Sequence, residues 1–160
     1  IIPSIAVVLG IHSVFISIGL TNTIFGVILV HLIPTVPYMT LVMSAIFSNF
    51  DADFEYQARS LGASSLKAFY YITLPAILPG VVIGGLFAFL VSWSQYILTL
   101  VIGGGKILTL PLLLFSFATS GRNDITGAIG IIYILPGIII LIFTTKYLSR
   151  RNVIGVFERI

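Results

Sequence analysis

The sequence predicts an all-α membrane protein: a bundle of about four transmembrane helices with one water-exposed helical loop set between them. Three observations lead there. The 160 residues are 58% apolar and 8% charged, with a mean hydropathy of +1.17, whereas ordinary soluble domains carry about a quarter charged residues. The apolar residues gather in runs near the length of about 20 residues that a crossing helix needs. Charge is concentrated instead in one place. Asp51, Asp53, Glu55, Arg59 and Lys67 are five of the thirteen Asp, Glu, Lys and Arg residues, and they lie between two apolar runs. A segment of that composition meets water or protein rather than lipid.

The runs follow in order. Pro3 to Leu20 is apolar, interrupted only by Gly10, His12 and two serines, and Thr21, Asn22 and Thr23 then make a polar turn. Because the chain starts on Ile1 and enters this run at once, it is expected to be part of a longer one. Ile24 to Phe47 is the second run; Pro34 and Pro37 near its middle predict a kinked helix. The third, Ile72 to Ile102, is longer than a straight crossing and calls for tilt, a break or an interfacial start. Its Gly80, Gly84 and Gly85 suit close helix approach. Gly103, Gly104 and Gly105 end it. Leu108 to Phe117 is about half a span and carries Pro111, as a short surface or re-entrant helix would. The last run, Ile125 to Thr145, holds Pro136-Gly137 as a kink and is stopped by Lys146, Arg150 and Arg151.

The charged loop reads as a helix, a glycine corner and a second helix at a membrane surface. Phe54, Ala58 and Leu61 recur at helical spacing. Gly62 can take the left-handed conformation that closes a helix, and Ser64 or Ser65 can cap the next. Leu66, Phe69 and Tyr70 supply that second helix with an apolar face, before Pro75 and Pro79 open the following run.

Ala58-Arg59-Ser60-Leu61-Gly62-Ala63 with Ile72-Thr73-Leu74-Pro75 resembles the EAA loop of the membrane subunits of bacterial ABC importers. That pattern is E-A-A, three residues, Gly, nine residues, then I-x-L-P. The second alanine, Gly62, Ile72, Leu74 and Pro75 meet it position for position. Its glutamate falls on Tyr56 and its first alanine on Gln57, while an acid stands one place earlier at Glu55. The resemblance implies the C-terminal four helices of a six-helix permease fold, with residues 1–160 as one transmembrane permease domain and residues 49–71 as the cytoplasmic coupling loop. It is strongest toward the permeases of polyamine, ferric iron and thiamine importers, on Gln57 to Ala63 and on Leu110-Pro111 after the glycines.

By that resemblance Glu55, Gln57, Ala58, Arg59, Leu61, Gly62 and Ala63 contact a separate cytoplasmic ATP-binding subunit. Gly62 allows the corner, Ala58 and Ala63 allow close approach, and Glu55 or Arg59 makes polar contacts at the rim. Further implied partners are a second permease subunit, as homo- or heterodimer, an extracytoplasmic solute-binding protein and the lipid bilayer. The protein itself is then no enzyme and needs no cofactor. Its expected location is the bacterial inner membrane.

Ser92, Gln95, Tyr96 and Thr99 stand at i, i+3, i+4 and i+7 and predict a polar stripe on one face of an apolar helix. Two readings stand side by side: a lining for the translocation path, since polar side chains at membrane depth face the bundle or water, or interhelical hydrogen bonding worth about 0.6 kcal/mol per contact. His12 and His31 lie in separate apolar runs without Cys, Asp or Glu to complete a metal site, which favours bundle-facing, satisfied histidines over a proton relay. Gly105-Lys106 is followed by Ile107, so the glycine triplet lacks the Ser or Thr of a phosphate loop. The sequence has no cysteine, and its formal charge of +3 is too small to suggest nucleic acid.

The function these features imply is a permease subunit of an ATP-binding cassette importer, which forms the path and couples ATPase motion to solute uptake. The alternative is an ion-coupled carrier or channel subunit, and a weaker third reading is an intramembrane enzyme using a histidine. A carrier should hold ionisable groups within the membrane, yet Asp, Glu, Lys and Arg all lie in loops or at ends. Placing the charged loop and both ends of this chain in the cytoplasm puts Arg59, Lys67, Lys146, Arg150, Arg151 and Arg159 inside and only Lys106 and Arg122 outside, as the positive-inside rule asks.

Overall fold

The computed structural model describes the backbone of residues 4–155 and the side chains of residues 7–146. All regular structure among these residues is helical. In order come α1 (Ser4–Ser17), α2 (Ile24–Ser48), α3 (Asp53–Ser60), α4 (Ser65–Ala68), a π turn (Phe69–Thr73), α5 (Leu74–Trp93), α6 (Ile97–Gly103), α7 (Leu110–Thr119) and α8 (Asn123–Gly155). Three helical stretches are long and apolar enough to cross a membrane: Ile24–Ser48, Ser65–Trp93 and Asn123–Lys146. The first apolar run forms α1, described over 14 residues, and the half-length run after the glycines forms α7. Arg159 lies outside the described residues.

The described chain forms two compact units, one made of the residues up to Pro34 and those from Leu90 onward, the other of Thr35–Phe89. In the first unit α1 packs on α6 and α7 on α8. Their connections are tied by turn chemistry. Thr23 begins α2 by accepting the Gly26 N–H at 3.0 Å while its own hydroxyl donates to the Leu20 carbonyl at 2.8 Å. Asn22, at φ 61°, donates its N–H to the Ile102 carbonyl at 2.7 Å, and its carboxamide oxygen lies where a Cβ on Gly104 would stand. The Asn22 turn and the glycine loop therefore occupy the same end of the unit. Thr109 precedes α7 but makes no capping bond, and its hydroxyl is buried without a partner. Pro111, at the second helical position, lacks one of the N–H groups that such a cap would use.

In the second unit the C-terminal part of α2 packs against the N-terminal part of α5 through glycine. A Cβ on Gly84 would stand 2.7 Å from Val42 Cγ1 and 3.1 Å from Met39 Sδ, and one on Gly80 2.5 Å from Ile46 Cδ1. A Cβ on Gly85 meets nothing within 4 Å. Of the three glycines expected to permit close approach, the pair with i,i+4 spacing does so.

The structure departs from expectation at the upstream end of the third apolar run and selects one of three expected readings at its downstream end. Upstream, the second loop helix does not stop before Pro75. It continues through the π turn into α5, so that Ser65–Trp93 is one 29-residue rod. Leu74 N–H bonds back to the Phe69 carbonyl, and this widened register carries the helix into Pro75, which has no N–H to offer. Downstream, of tilt, break and interfacial start, the structure has the break: α5 ends at Trp93 and α6 begins at Ile97. Ser94 Oγ and Gln95 Nε2 both donate to the Val91 carbonyl at 3.1 Å, local bonds that compete with helix continuation. α2 runs unbroken through Pro34 and Pro37, and α8 through Pro136.

Candidate functional site

Two constructions bring the singled-out residues together. The first is the elbow between α3 and α4. α3 carries Asp53 and Glu55 in its first turn and Arg59 in its last, which suits the helix dipole. It ends in a Schellman closure: the Ala63 N–H bonds to the Ala58 carbonyl and the Gly62 N–H to the Arg59 carbonyl, each at 3.0 Å. Gly62 has φ +93°, a conformation that L side chains rarely adopt. Ser64, rather than Ser65, caps α4, accepting the Lys67 N–H at 3.4 Å. At the tip Leu61 is 90% exposed, while Gln57, Arg59 and Gly62 are also exposed and Ala58 and Ala63 are half-buried. A shallow groove alongside is lined by Tyr56, Arg59, Ser60, Ala63, Ser64 and Ser65. An apolar side chain this bare beside a cation and a groove is suited to a protein partner.

Glu55 stands apart from the other elbow residues. It is half-buried, and its carboxylate accepts a hydrogen bond of 2.9 Å from the hydroxyl of Thr73, which is itself 4% exposed in the π turn. The acid ties the first leg of the elbow to the start of the membrane rod. Sequence reasoning missed Thr73 as its partner. The available signal was a lone hydroxyl at the start of an apolar run, in the x position of I-x-L-P.

The second construction is the break between α5 and α6. The expected stripe does not lie on one continuous helical face: Ser92 is in the last turn of α5, Gln95 and Tyr96 are in the break, and Thr99 is in α6. A residue from outside the stripe reunites two of its members. His31 Nδ1 is 2.9 Å from Ser92 Oγ, and His31 Nε2 is 2.8 Å from Thr99 Oγ1. Thr99, wholly buried, in turn donates to the Gln95 carbonyl at 2.7 Å. Ser92 and Thr99 are thus both bonded to one histidine from across the break. Gln95 and Tyr96 line a cleft of about 560 Å³ together with Ser94 and apolar residues that include Val8, Ile11 and Pro34. Aromatic contacts are made at either end of the break in sequence: Trp93 stacks on Tyr133 at 6.4 Å between centroids and donates its indole N–H to the Tyr133 carbonyl, and Tyr96 packs on Phe115 at 4.5 Å. His31 has the satisfied environment expected of it. Among the described residues there is no cluster of three or more His, Cys, Asp or Glu side chains that could hold a metal.

Comparison with known proteins shows the family. Residues 1–153 match the family described as "Binding-protein-dependent transport system inner membrane component". The chain is 34% identical over 123 residues to the putrescine transport system permease protein PotI of Escherichia coli (strain K12), an alignment covering 77% of this chain and 43% of that protein. It is 26% identical over 150 residues to the spermidine/putrescine transport system permease protein PotC of Haemophilus influenzae, with 94% and 58% covered. It is also 30% identical over 155 residues to the trehalose transport system permease protein SugB of Mycobacterium tuberculosis, with 96% and 56% covered. The chain thus spans about half the length of these relatives. With a match over nearly its whole length, this chain belongs to the family of inner membrane components of binding-protein-dependent transport systems, the permeases of ABC importers.

Proposed function

We propose that the protein forms part of the translocation path of an ATP-binding cassette importer and that its α3–α4 elbow is where a cytoplasmic ATP-binding subunit grips it. The observation that carries this reading is the elbow itself. It presents a rigid, glycine-closed corner with Leu61 bare at its tip and Arg59 beside it, between two membrane-length helices. A short helix pair suits force transfer because its packing surface moves as a unit. Gln57, Arg59 and Leu61 supply the contact, and Ala58, Gly62 and Ala63 its shape. Glu55 acts from behind by bracing the elbow on Thr73.

In this reading residues 1–160 are one transmembrane permease domain paired with a second permease subunit, and a solute-binding protein delivers cargo at the face opposite the elbow. The elbow and both ends of the chain lie in the cytoplasm, the orientation favoured by six basic residues against two. Gln95 and Tyr96 at the helix break line the path, consistent with the use of interrupted helices for solute sites in other transporters. ATP hydrolysis resides on the partner.

Gly62→Asp in the full-length permease tests the docking. The substitution forces a side chain into the left-handed corner and places a negative charge beside Leu61. The variant should insert into the membrane normally yet fail to couple ATP hydrolysis to uptake. Full coupling in a normally inserted variant would refute docking at the elbow.

A further inference from the structure

From the hydrogen-bond network at the α5–α6 break, we infer that His31 is a positioning residue for the translocation path: as a neutral imidazole protonated on Nε2, it holds the interrupted helix in register and so sets the placement of Gln95 and Tyr96. The inference rests on the path reading above. Donors and acceptors at Thr99 decide which ring nitrogen carries the proton. Thr99 has a single hydroxyl proton, and its oxygen lies 2.7 Å from the Gln95 carbonyl, which can only accept. The proton is therefore between them, and Thr99 Oγ1 must accept from His31 Nε2–H at 2.8 Å. In the neutral ring His31 Nδ1 carries the lone pair and accepts from the Ser92 hydroxyl at 2.9 Å. In the opposite tautomer two bare oxygens would face each other at 2.7 Å.

The chain of bonds runs Ser92, His31, Thr99, Gln95 carbonyl. It starts on the last turn of α5, passes through α2, and returns to the break through the first turn of α6. One side chain thereby couples both flanks of a discontinuity whose own backbone does not. Thr99 is wholly buried, so removing the ring leaves its hydroxyl oxygen without a donor and loosens the hold of α6 on the end of α5. The connection reaches Gln95 through its backbone carbonyl, so a substitution of the Gln95 side chain leaves it intact.

The test uses the full-length permease in proteoliposomes, with Gln95→Cys and Tyr96→Cys as reporters and a water-soluble methanethiosulfonate as the probe. With His31 present, Gln95→Cys should react. His31→Leu should change that rate by about tenfold, which corresponds to 1.4 kcal/mol. His31→Gln, whose amide can still donate to Thr99, should stay near the parent rate. Ser92→Ala, which removes only the Nδ1 partner, should fall between them and serves if His31→Leu does not fold. Independently, ¹⁵N NMR of the histidine-labelled protein should assign His31, by difference with His31→Gln, as the neutral Nε2–H tautomer. A reactive Gln95→Cys that ignores His31→Leu and Ser92→Ala, or a ring protonated on Nδ1, overturns the role of His31. A Gln95→Cys inert with His31 in place overturns the path reading and, with it, the positioning of that path, whichever tautomer is found.

Discussion

Alanine substitutions at Gly84 and at its neighbour Gly85 isolate the energetic value of the close approach between α2 and α5. Both replace glycine in the same helix and gain the same helix propensity, about 1 kcal/mol each, so propensity cancels in the comparison. The surroundings differ. At Gly84 the new Cβ would lie 2.7 Å from Val42 Cγ1 and 3.1 Å from Met39 Sδ; at Gly85 it meets nothing within 4 Å. The Met39 thioether can swing aside. Val42 cannot, because a β-branched residue in a helix is held to essentially one χ1 rotamer, and the helices themselves must separate. Overpacking of this kind costs about 1–3 kcal/mol. At about 2–4 °C per kcal/mol, Gly84→Ala should melt about 2–12 °C below Gly85→Ala. The assay is an apparent Tm of the full-length permease in detergent, scanned at one fixed rate because unfolding of such proteins is often irreversible. Adding Val42→Ala to Gly84→Ala should recover most of the difference, since it removes the colliding methyl. Equal melting of the two single variants would refute the packing argument.

Two other perturbations probe the ties described above. Thr73→Val keeps the shape of the side chain but removes the donor to Glu55. Hydrogen exchange of the α3 amides should quicken by about tenfold, the equivalent of roughly 1.4 kcal/mol, and Thr73→Ser should restore it; unchanged exchange would mean that the acid braces nothing. Gly104→Ala would strain a backbone at φ +54° and drive a Cβ onto the Asn22 carboxamide oxygen. Its apparent Tm should drop by at least the equivalent of about 1–2 kcal/mol, and Asn22→Gly in the same background should return part of that loss. A double variant no better than Gly104→Ala alone would show that the Asn22 side chain is not the obstacle.

The membrane class, the helical runs and the elbow were legible because each has a local cause. Hydropathy marks the runs, and Gly62 with Ser64 marks a corner whose conformation follows from the absence of a Cβ and the reach of a hydroxyl. The break at Ser94–Tyr96 was only one of three readings, because Ser and Gln also sit within continuous helices and the periodicity of Ser92, Gln95, Tyr96 and Thr99 is the same in either case. What distinguishes them is tertiary: His31 lies 61 residues from Ser92 and 68 from Thr99 along the chain. The bond that Glu55 makes was hidden for the same reason, since position in a motif shows a carboxylate but not the hydroxyl 18 residues on that donates to it. Pro75 suggested a boundary between loop and membrane helix, and the π turn allows the chain to proceed without one.

That uninterrupted rod makes the two sides of the elbow mechanically unequal. From Ser65 to Trp93 there is no slack, so a push delivered at the corner arrives in α5 as a tilt or a twist with little lost on the way. On the other side Asn49 to Ala52 is non-helical, so that along the backbone the same push is taken up before it reaches α2. A displacement of the corner would reach α5 directly and α2 only sideways, through the contacts at Gly80 and Gly84.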